Sequence, residues 1–185
     1  MRWIALAFSS VAVTMVQAEP VTFAATDGVK VYAEFRGGKD NSKPLILLFH
    51  QAGSNLHEYD TITPRLVQLG FDTLAIDQRS GGNAYGHSNQ TASGVKGKPG
   101  YLDAYKDMEA ALEWGSQKRS KLVVWGSSYS SSLVFVLASQ HPEKVAALLA
   151  FSPGEYFPSK RFVRDAAAKV KIPVFVSSSS DSDEV

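Results

Sequence analysis

The chain has 185 residues, with 19 Lys and Arg against 18 Asp and Glu and a formal net charge of +1. This length and a hydrophobic fraction of 44% predict one globular domain with a single core. The balanced charge gives no basic block for nucleic acid, and the absence of cysteine excludes disulfides, thiol nucleophiles and thiolate metal sites.

The N-terminus has the three parts of a secretory signal peptide. Arg2 is followed by an almost uncharged apolar run from residue 4 to residue 16, with small residues at positions 16 and 18. The run is shorter than the roughly 20 residues that a membrane span needs. We predict a signal peptide over 1–18, export to the periplasm or the medium, and a mature domain over 19–185 without stable membrane insertion. A retained anchor is the alternative.

The first half of the predicted domain begins with strands. Residues 21–35 alternate in part between apolar and polar side chains, and turn residues at 37–41 complete the pattern of an antiparallel hairpin at a sheet edge. Residues 45–49 and 71–76 are largely apolar, which is typical of strands covered on both faces. Between them, helical spacing of apolar residues over 58–69 predicts a helix that Gly70 ends.

The second half alternates helices and strands. We predict helices over 102–114 and 130–140, strands over 146–151 and 172–176, and a further strand that leads into the segment 122–130. This alternation predicts an α/β fold with a mostly parallel sheet flanked by helices on both faces. The segment 79–101 is rich in Gly, Ser and Asn, and we interpret it as either an active-site lid or a surface loop.

The segment 122–130 carries the clearest functional pattern. It reads Leu-Val-Val-Trp-Gly-Ser-Ser-Tyr-Ser, an apolar strand that stops in a serine with small residues two positions to either side. Such a pattern is typical of a nucleophile elbow, a strained strand-to-helix turn whose crowded backbone accepts only small neighbours. Gly126 and Ser130 meet that requirement.

Within this pattern we predict that Ser128 is the nucleophile. Ser127 is in the wrong register, because it would put Trp125 where a small residue is required. The amide of Tyr129, at the start of the following helix, is one predicted donor to an oxyanion. The alternative is that Ser128 is a turn serine without a catalytic role.

Four segments, taken in order, carry a family resemblance. They are 49–53 (Phe-His-Gln-Ala-Gly), 71–82 (Phe-Asp-Thr-Leu-Ala-Ile-Asp-Gln-Arg-Ser-Gly-Gly), the elbow at 126–130, and 141–145 (His-Pro-Glu-Lys-Val). Together they resemble the α/β-hydrolase family, and in particular the small exported serine hydrolases related to the dienelactone hydrolase group. The resemblance covers about 21–185 and implies an α/β-hydrolase fold that is incomplete at its C-terminus.

The resemblance also implies the remaining site residues. The segment 49–53 is similar to the family's His-Gly-x-Gly turn, which makes the Ala52 amide the second oxyanion donor, with Gln51 as the alternative. The acid belongs in the loop after the strand 172–176, where Asp183 is the first choice and Asp181 the alternative. The alternative is that both are solvated loop carboxylates at a chain end.

The expected order in this family is serine, acid, histidine, but the four histidines of the chain all precede the acid. We interpret His50 as structural, whereas His57 opens a helix, His141 ends one, and His87 lies in the long loop. A catalytic histidine is therefore expected beyond Val185 in a longer protein, and little activity is expected from these 185 residues alone.

Two charged residues at a strand end need no catalytic role. We predict that Asp77 and Arg79 form a structural ion pair. No spacing of His, Asp and Glu is typical of a metal site, and no cofactor is expected. The sequence thus predicts a serine hydrolase that acts on small-molecule carboxylic esters through an acyl-enzyme, with a non-catalytic binding module of the same fold as the alternative.

Overall fold

The computed structural model describes residues 16–178, which build one seven-stranded sheet in the order β1-β2-β4-β3-β5-β6-β7. The first two strands form an antiparallel hairpin, and β2 also runs antiparallel to β4, whereas β3 to β7 are parallel to one another. The strands are β1 Glu19–Ala24, β2 Lys30–Arg36, β3 Leu45–Phe49, β4 Asp72–Ile76, β5 Leu122–Ser127, β6 Val145–Phe151 and β7 Val174–Ser177. The predicted α/β class and mostly parallel sheet are confirmed.

Helices connect the parallel strands. They are α1 Thr63–Gln68, α2 Gln90–Ser93, α3 Tyr105–Ser116, α4 Tyr129–Gln140 and α5 Phe162–Ala167, with 3-10 helices at Leu56–Tyr59 and Tyr101–Ala104. The predicted helix over 58–69 is thus two shorter pieces, because α1 begins only at Thr63, with Pro64 in its first turn. The short α2 falls inside the segment that the sequence predicted as a lid or loop.

The hairpin at the sheet edge is confirmed, but its turn is not at 37–41. The chain reverses at residues 26–28, where the Gly28 amide donates to the Ala25 carbonyl oxygen over 2.9 Å and Gly28 adopts a φ of +83°. A left-handed φ of this size favours glycine. The signal at Gly37 and Gly38 instead follows β2 and marks the connection to β3.

Two apolar layers cover the faces of the sheet. Every residue of β3 and β4 is buried, as predicted for strands between two layers of helices. Helix α4 is buried from Tyr129 through Ala138, so it is the central helix of the larger layer. The strand β7 lies at the sheet edge opposite β1, and the exposed fractions of Val174, Phe175 and Val176 are 44%, 53% and 49%.

The predicted ion pair between Asp77 and Arg79 is wrong. The Arg79 guanidinium binds Asp107 of α3 at 2.7 Å and Asp27 of the hairpin turn at 2.6 Å. Asp77 accepts the amides of Leu56 and Gln90 at 2.9 and 2.6 Å. Both residues follow the last residue of β4, Ile76, so the regular alternation of the strand no longer sets where their side chains point, and each finds its own partners.

Candidate active site

Ser128 occupies the turn that joins β5 to α4. It is one of three non-glycine residues of the described chain with a positive φ, at φ +54° and ψ −127°. A non-glycine residue in such a conformation is strained by about 1–3 kcal/mol, and such strain concentrates at functional sites. The Ser128 amide donates to the Phe151 carbonyl oxygen over 2.9 Å, which anchors the turn to β6. Ser128 itself is half-buried.

The small neighbours of Ser128 have separate physical reasons. A Cβ atom on Gly126 would lie 2.4 Å from the carbonyl oxygen of Ser130, so glycine is required there. Ser130 stands where the elbow pattern usually has glycine. Its hydroxyl donates to the His50 carbonyl oxygen over 2.6 Å. This bond ties the first turn of α4 to the loop after β3.

The two predicted oxyanion donors lie on neighbouring segments. Phe49, the last residue of β3, pairs with Gly126 of β5, so the loop that carries Ala52 and the turn that carries Ser128 leave the same edge of the sheet. Among the described residues, no acceptor binds the amide of Ala52 or that of Tyr129. Two unpaired amides at this edge are the kind of donors that a developing oxyanion needs.

The Gln51 amide, the alternative donor, is already engaged. It donates to the Glu58 carboxylate over 3.1 Å. In the sequence, Glu58 is only the first residue of the predicted helix over 58–69. No pattern in the sequence singles it out, because a lone glutamate in a loop after a strand is usually solvated. Its partner becomes visible only once the 3-10 helix Leu56–Tyr59 has folded back against the strand ends.

His50 is held on both sides of its ring. Its Nε2 accepts the Gln78 amide over 2.9 Å, and its Nδ1 lies 2.7 Å from the Gln51 carbonyl oxygen. These contacts fit a neutral ring that is protonated on Nδ1. Burial lowers the pKa of His50 to about 4. His50 is therefore a structural member of its turn.

The buried neutral His50 predicts an acid-sensitive fold. Its pKa is about 4 in the folded protein, against the ordinary histidine value of 6.5 in the unfolded chain, so the unfolded chain binds one more proton between these pH values. This contribution to stability is complete above pH 6.5 and is lost as the pH falls toward 4. Urea titration at pH 7.5 and at pH 4.5 measures how much unfolding free energy each protein loses on acidification. We expect this loss to be about 2 to 3 kcal/mol smaller for His50→Gln than for the wild type. Equal losses in the two proteins would contradict this role.

The other three histidines are also engaged. His57 Nδ1 lies 2.9 Å from Asp60 Oδ2, and its ring stacks on that of His87 with centroids 3.7 Å apart. His141 Nε2 lies 3.2 Å from Glu109 Oε1, on α3. None of these contacts joins a histidine to Ser128.

The first half of the segment 79–101 is firmly attached. The Asn55 amide group donates to the carbonyl oxygens of Ala84 and His87 over 2.9 and 3.0 Å, and Thr91 accepts the amide of Tyr32 over 3.0 Å. The second half borders a cavity of about 530 Å³ whose lining includes Ala52, Gly53, Ser80, Gly81, Lys98 and Tyr101. Ala52 therefore forms part of the wall of this cavity.

Tyr101 marks the side of this cavity nearest the elbow. Its ring stacks on that of Tyr129 with centroids 4.5 Å apart, and 41% of its surface is exposed. The Tyr129 hydroxyl is buried and bonded to Ser80 and Gln78, at 2.5 and 3.0 Å. Burial raises the pKa of Tyr129, so its phenol stays neutral and fixes the start of α4.

Some predictions fall outside residues 16–178. These are both candidate acids, Asp181 and Asp183, and nearly all of the predicted signal peptide. Within the described range no three His, Asp or Glu side chains are grouped to hold a metal ion. No helix of that range is long and apolar enough to cross a membrane.

A parallel sheet with a strained serine between β5 and α4 is the architecture of the α/β class that carries a nucleophile elbow. Residues 44–170 match the family described as alpha/beta hydrolase fold, and the chain belongs to that family. It is also similar to the alpha/beta hydrolase domain-containing protein WAV2 of Arabidopsis thaliana, with 28% identity over 137 residues. That match covers 71% of this chain and 41% of the relative, so the chain spans less than half of the relative's length.

Solved structures share the fold at low identity. The esterase Pf2001 of Pyrococcus furiosus superposes with a TM-score of 0.67 and 19% identity over 87% of this chain and 70% of that one. Est1E of Butyrivibrio proteoclasticus gives 0.63 and 16% over 84% and 77% of the two chains. A thermostable carboxyl esterase of Bacillus coagulans gives 0.59 and 18%, over 76% and 46%. At these identities the likeness establishes the fold alone.

Proposed function

We propose that this protein is a serine hydrolase that acts on small-molecule carboxylic esters, with Ser128 as the nucleophile. The observation that carries the proposal is the strained φ of +54° at Ser128, on a turn flanked by two amides that have no acceptor among the described residues. Strain of this kind aims a hydroxyl out of the sheet edge, where a substrate carbonyl can reach it. The esterases of Pyrococcus furiosus and Bacillus coagulans, which share the fold, support the same class of reaction.

The proposed reaction has two steps. The Ser128 oxygen attacks the carbonyl carbon while its proton passes to a base, and the resulting oxyanion accepts hydrogen bonds from the Ala52 and Tyr129 amides. Collapse of this intermediate expels the alcohol, which takes up the proton, and leaves the acyl group on Ser128. Water then attacks the acyl-enzyme by the same route and releases the acid.

The base and the acid are proposed from the family order. His50, His57 and His141 each bind a partner other than Ser128, and His87 stacks on His57. We place the base after the acid in the full-length protein and keep Asp183, with Asp181 as the alternative, as the residue that orients it. Membership of the dienelactone-hydrolase-like group and export are part of the same proposal.

An acyl-enzyme predicts two-phase kinetics. With a p-nitrophenyl ester, the full-length protein is expected to release about one p-nitrophenol per protein molecule in a fast phase, followed by slower steady turnover, if deacylation limits the rate. A thioester and an anilide with the same acyl group measure the preference for the leaving group. Saturable ester binding without turnover would contradict the proposal and favour the non-catalytic binding module.

A further inference from the structure

Glu58 is a half-buried carboxylate beside the candidate elbow, and the proposed reaction does not use it. Its Oε2 accepts the Gln51 amide over 3.1 Å. Gln51 directly precedes Ala52, and the Ser127 hydroxyl, next to Ser128, lies close to the same carboxyl. One carboxyl thus adjoins both segments that would flank an oxyanion.

The helix that carries Glu58 is fixed at both ends. The Asn55 side chain caps it by accepting the His57 amide over 3.0 Å, and the Leu56 amide donates to Asp77 over 2.9 Å. At the other end, the buried Tyr59 hydroxyl donates to the Phe49 carbonyl oxygen over 2.6 Å. Because both flanks are anchored to the ends of the strands, Glu58 is held toward Gln51.

The contact decides which amide remains available. The carbonyl oxygen of Gln51 accepts the Ser54 amide over 3.3 Å and lies 2.7 Å from His50 Nδ1. With its amide bound to Glu58, both backbone polar groups of Gln51 have partners. The next amide, that of Ala52, has none among the described residues and belongs to a residue that lines the 530 Å³ cavity.

The electrostatic setting of Glu58 is also defined. Burial raises the pKa of Glu58, and the hydrogen bond from the Gln51 amide opposes that rise. Neighbouring Tyr59 stays neutral because burial raises its pKa well above 10.0. Within residues 16–178, no Lys, Arg or His side chain forms a salt bridge with Glu58. With no cation beside it, the Glu58 carboxyl is held by donors such as the Gln51 amide.

We propose that Glu58 is a positioning residue whose carboxylate binds the Gln51 amide and so presents the Ala52 amide as the oxyanion donor. This inference rests on the proposed function, since it assigns a role within that reaction. The role matters here because Gln51 stands where the family turn has glycine. The Glu58 contact fixes a backbone that would otherwise leave two successive amides competing for one oxyanion.

The test compares Glu58→Ala and Glu58→Gln in the full-length protein with Glu143→Ala, an exposed glutamate after α4, as the control. With a p-nitrophenyl ester we expect Glu58→Ala to lower kcat about tenfold to a hundredfold at nearly constant KM. Glu58→Gln keeps an acceptor oxygen for the Gln51 amide and is expected to stay within about fivefold of the wild type. The control is expected to match the wild type.

Two further readouts separate positioning from a loss of stability. A boronic acid inhibitor forms a tetrahedral adduct on the serine, so its inhibition constant is expected to rise with Glu58→Ala by the factor that kcat falls. The Gln51 amide is expected to lose protection from hydrogen exchange in Glu58→Ala, whereas the exchange of amides in β3 and β4 stays unchanged. Loss of protection throughout the sheet would show a structural role and overturn the proposal.

The outcomes also distinguish the two proposals. If the wild type turns over esters and Glu58→Ala has unchanged kcat and boronate affinity, the role of Glu58 is wrong and the proposed function stands. If the wild type shows no turnover, the proposed function is wrong, and the role of Glu58 in that reaction is wrong as well. In that case, a loss of hydrogen-exchange protection at the Gln51 amide in Glu58→Ala would show only that the contact between Glu58 and Gln51 exists.

Discussion

Replacing Ser128 by alanine is expected to reduce ester turnover of the full-length protein by about a thousandfold or more. The reason is that the hydroxyl supplies the bond-forming oxygen, whereas the Ala52 and Tyr129 amides supply only binding and charge stabilisation. In serine hydrolases, loss of the nucleophile leaves the weak catalysis that such donors provide. Stability is expected to change by less than about 1 kcal/mol, because Ser128 is half-buried and alanine retains its Cβ atom.

The matched control for this variant is Ser139→Ala. Ser139 lies on the same helix, α4, and its hydroxyl donates only to the Val136 carbonyl oxygen of its own helix, over 2.8 Å. We expect the control to keep turnover within about twofold of the wild type and to change stability by about 0.5 kcal/mol. Turnover by Ser128→Ala at the wild-type rate would remove Ser128 from the reaction.

Replacing Gly126 by alanine is expected to damage both the fold and the site. The new Cβ atom would lie 2.4 Å from the Ser130 carbonyl oxygen and 2.5 Å from the Ser131 amide nitrogen. These are backbone atoms at the start of α4, so the elbow must open to make room. We expect a loss of about 3 kcal/mol in the free energy of unfolding. Turnover is expected to fall at least about a hundredfold, because Ser128 moves with the turn.

Gly94→Ala is the control for the added methyl group. Gly94 has a φ of −88°, and a Cβ atom there would lie 3.5 Å from the nearest atom, the Thr91 carbonyl oxygen. This is ordinary van der Waals contact, so chemical denaturation is expected to show a change within about 1 kcal/mol. Equal effects of the two substitutions would contradict the crowding argument at Gly126.

The fold was predictable because burial leaves its mark directly on the residue pattern. The β3 run at 45–49 is apolar at all five positions, and only a strand between two layers of helices buries every position. The elbow was predictable for a related reason, since the close approach of backbone at Gly126 admits no side chain. In both cases a local physical constraint restricts the residue type at fixed positions.

The polar contacts were not predictable, because they depend on partners distant in sequence. Arg79 binds Asp107 and Asp27 rather than Asp77, and the nearest charge in sequence was a poor guide to its partner. The hairpin turn at Gly28 was not predicted, because residues 37–41 contain more turn-forming residues and indicate a turn there instead. In the bond between Glu58 and Gln51, the donor is the backbone amide of Gln51. Nearly every residue type has such an amide, so the bond leaves no trace in the sequence at position 51.

The most direct test of the central claim is to locate the covalent adduct of a fluorophosphonate on the full-length protein. Trypsin releases residues 122–144 as one peptide, because Lys121 and Lys144 bound a stretch without other Lys or Arg. Fragment-ion mass spectrometry then distinguishes Ser128 from the other serines of that peptide. The account predicts a single adduct at Ser128 that is absent from Ser128→Ala. An adduct on Ser127 or on a serine outside this peptide, retained in Ser128→Ala, would contradict it.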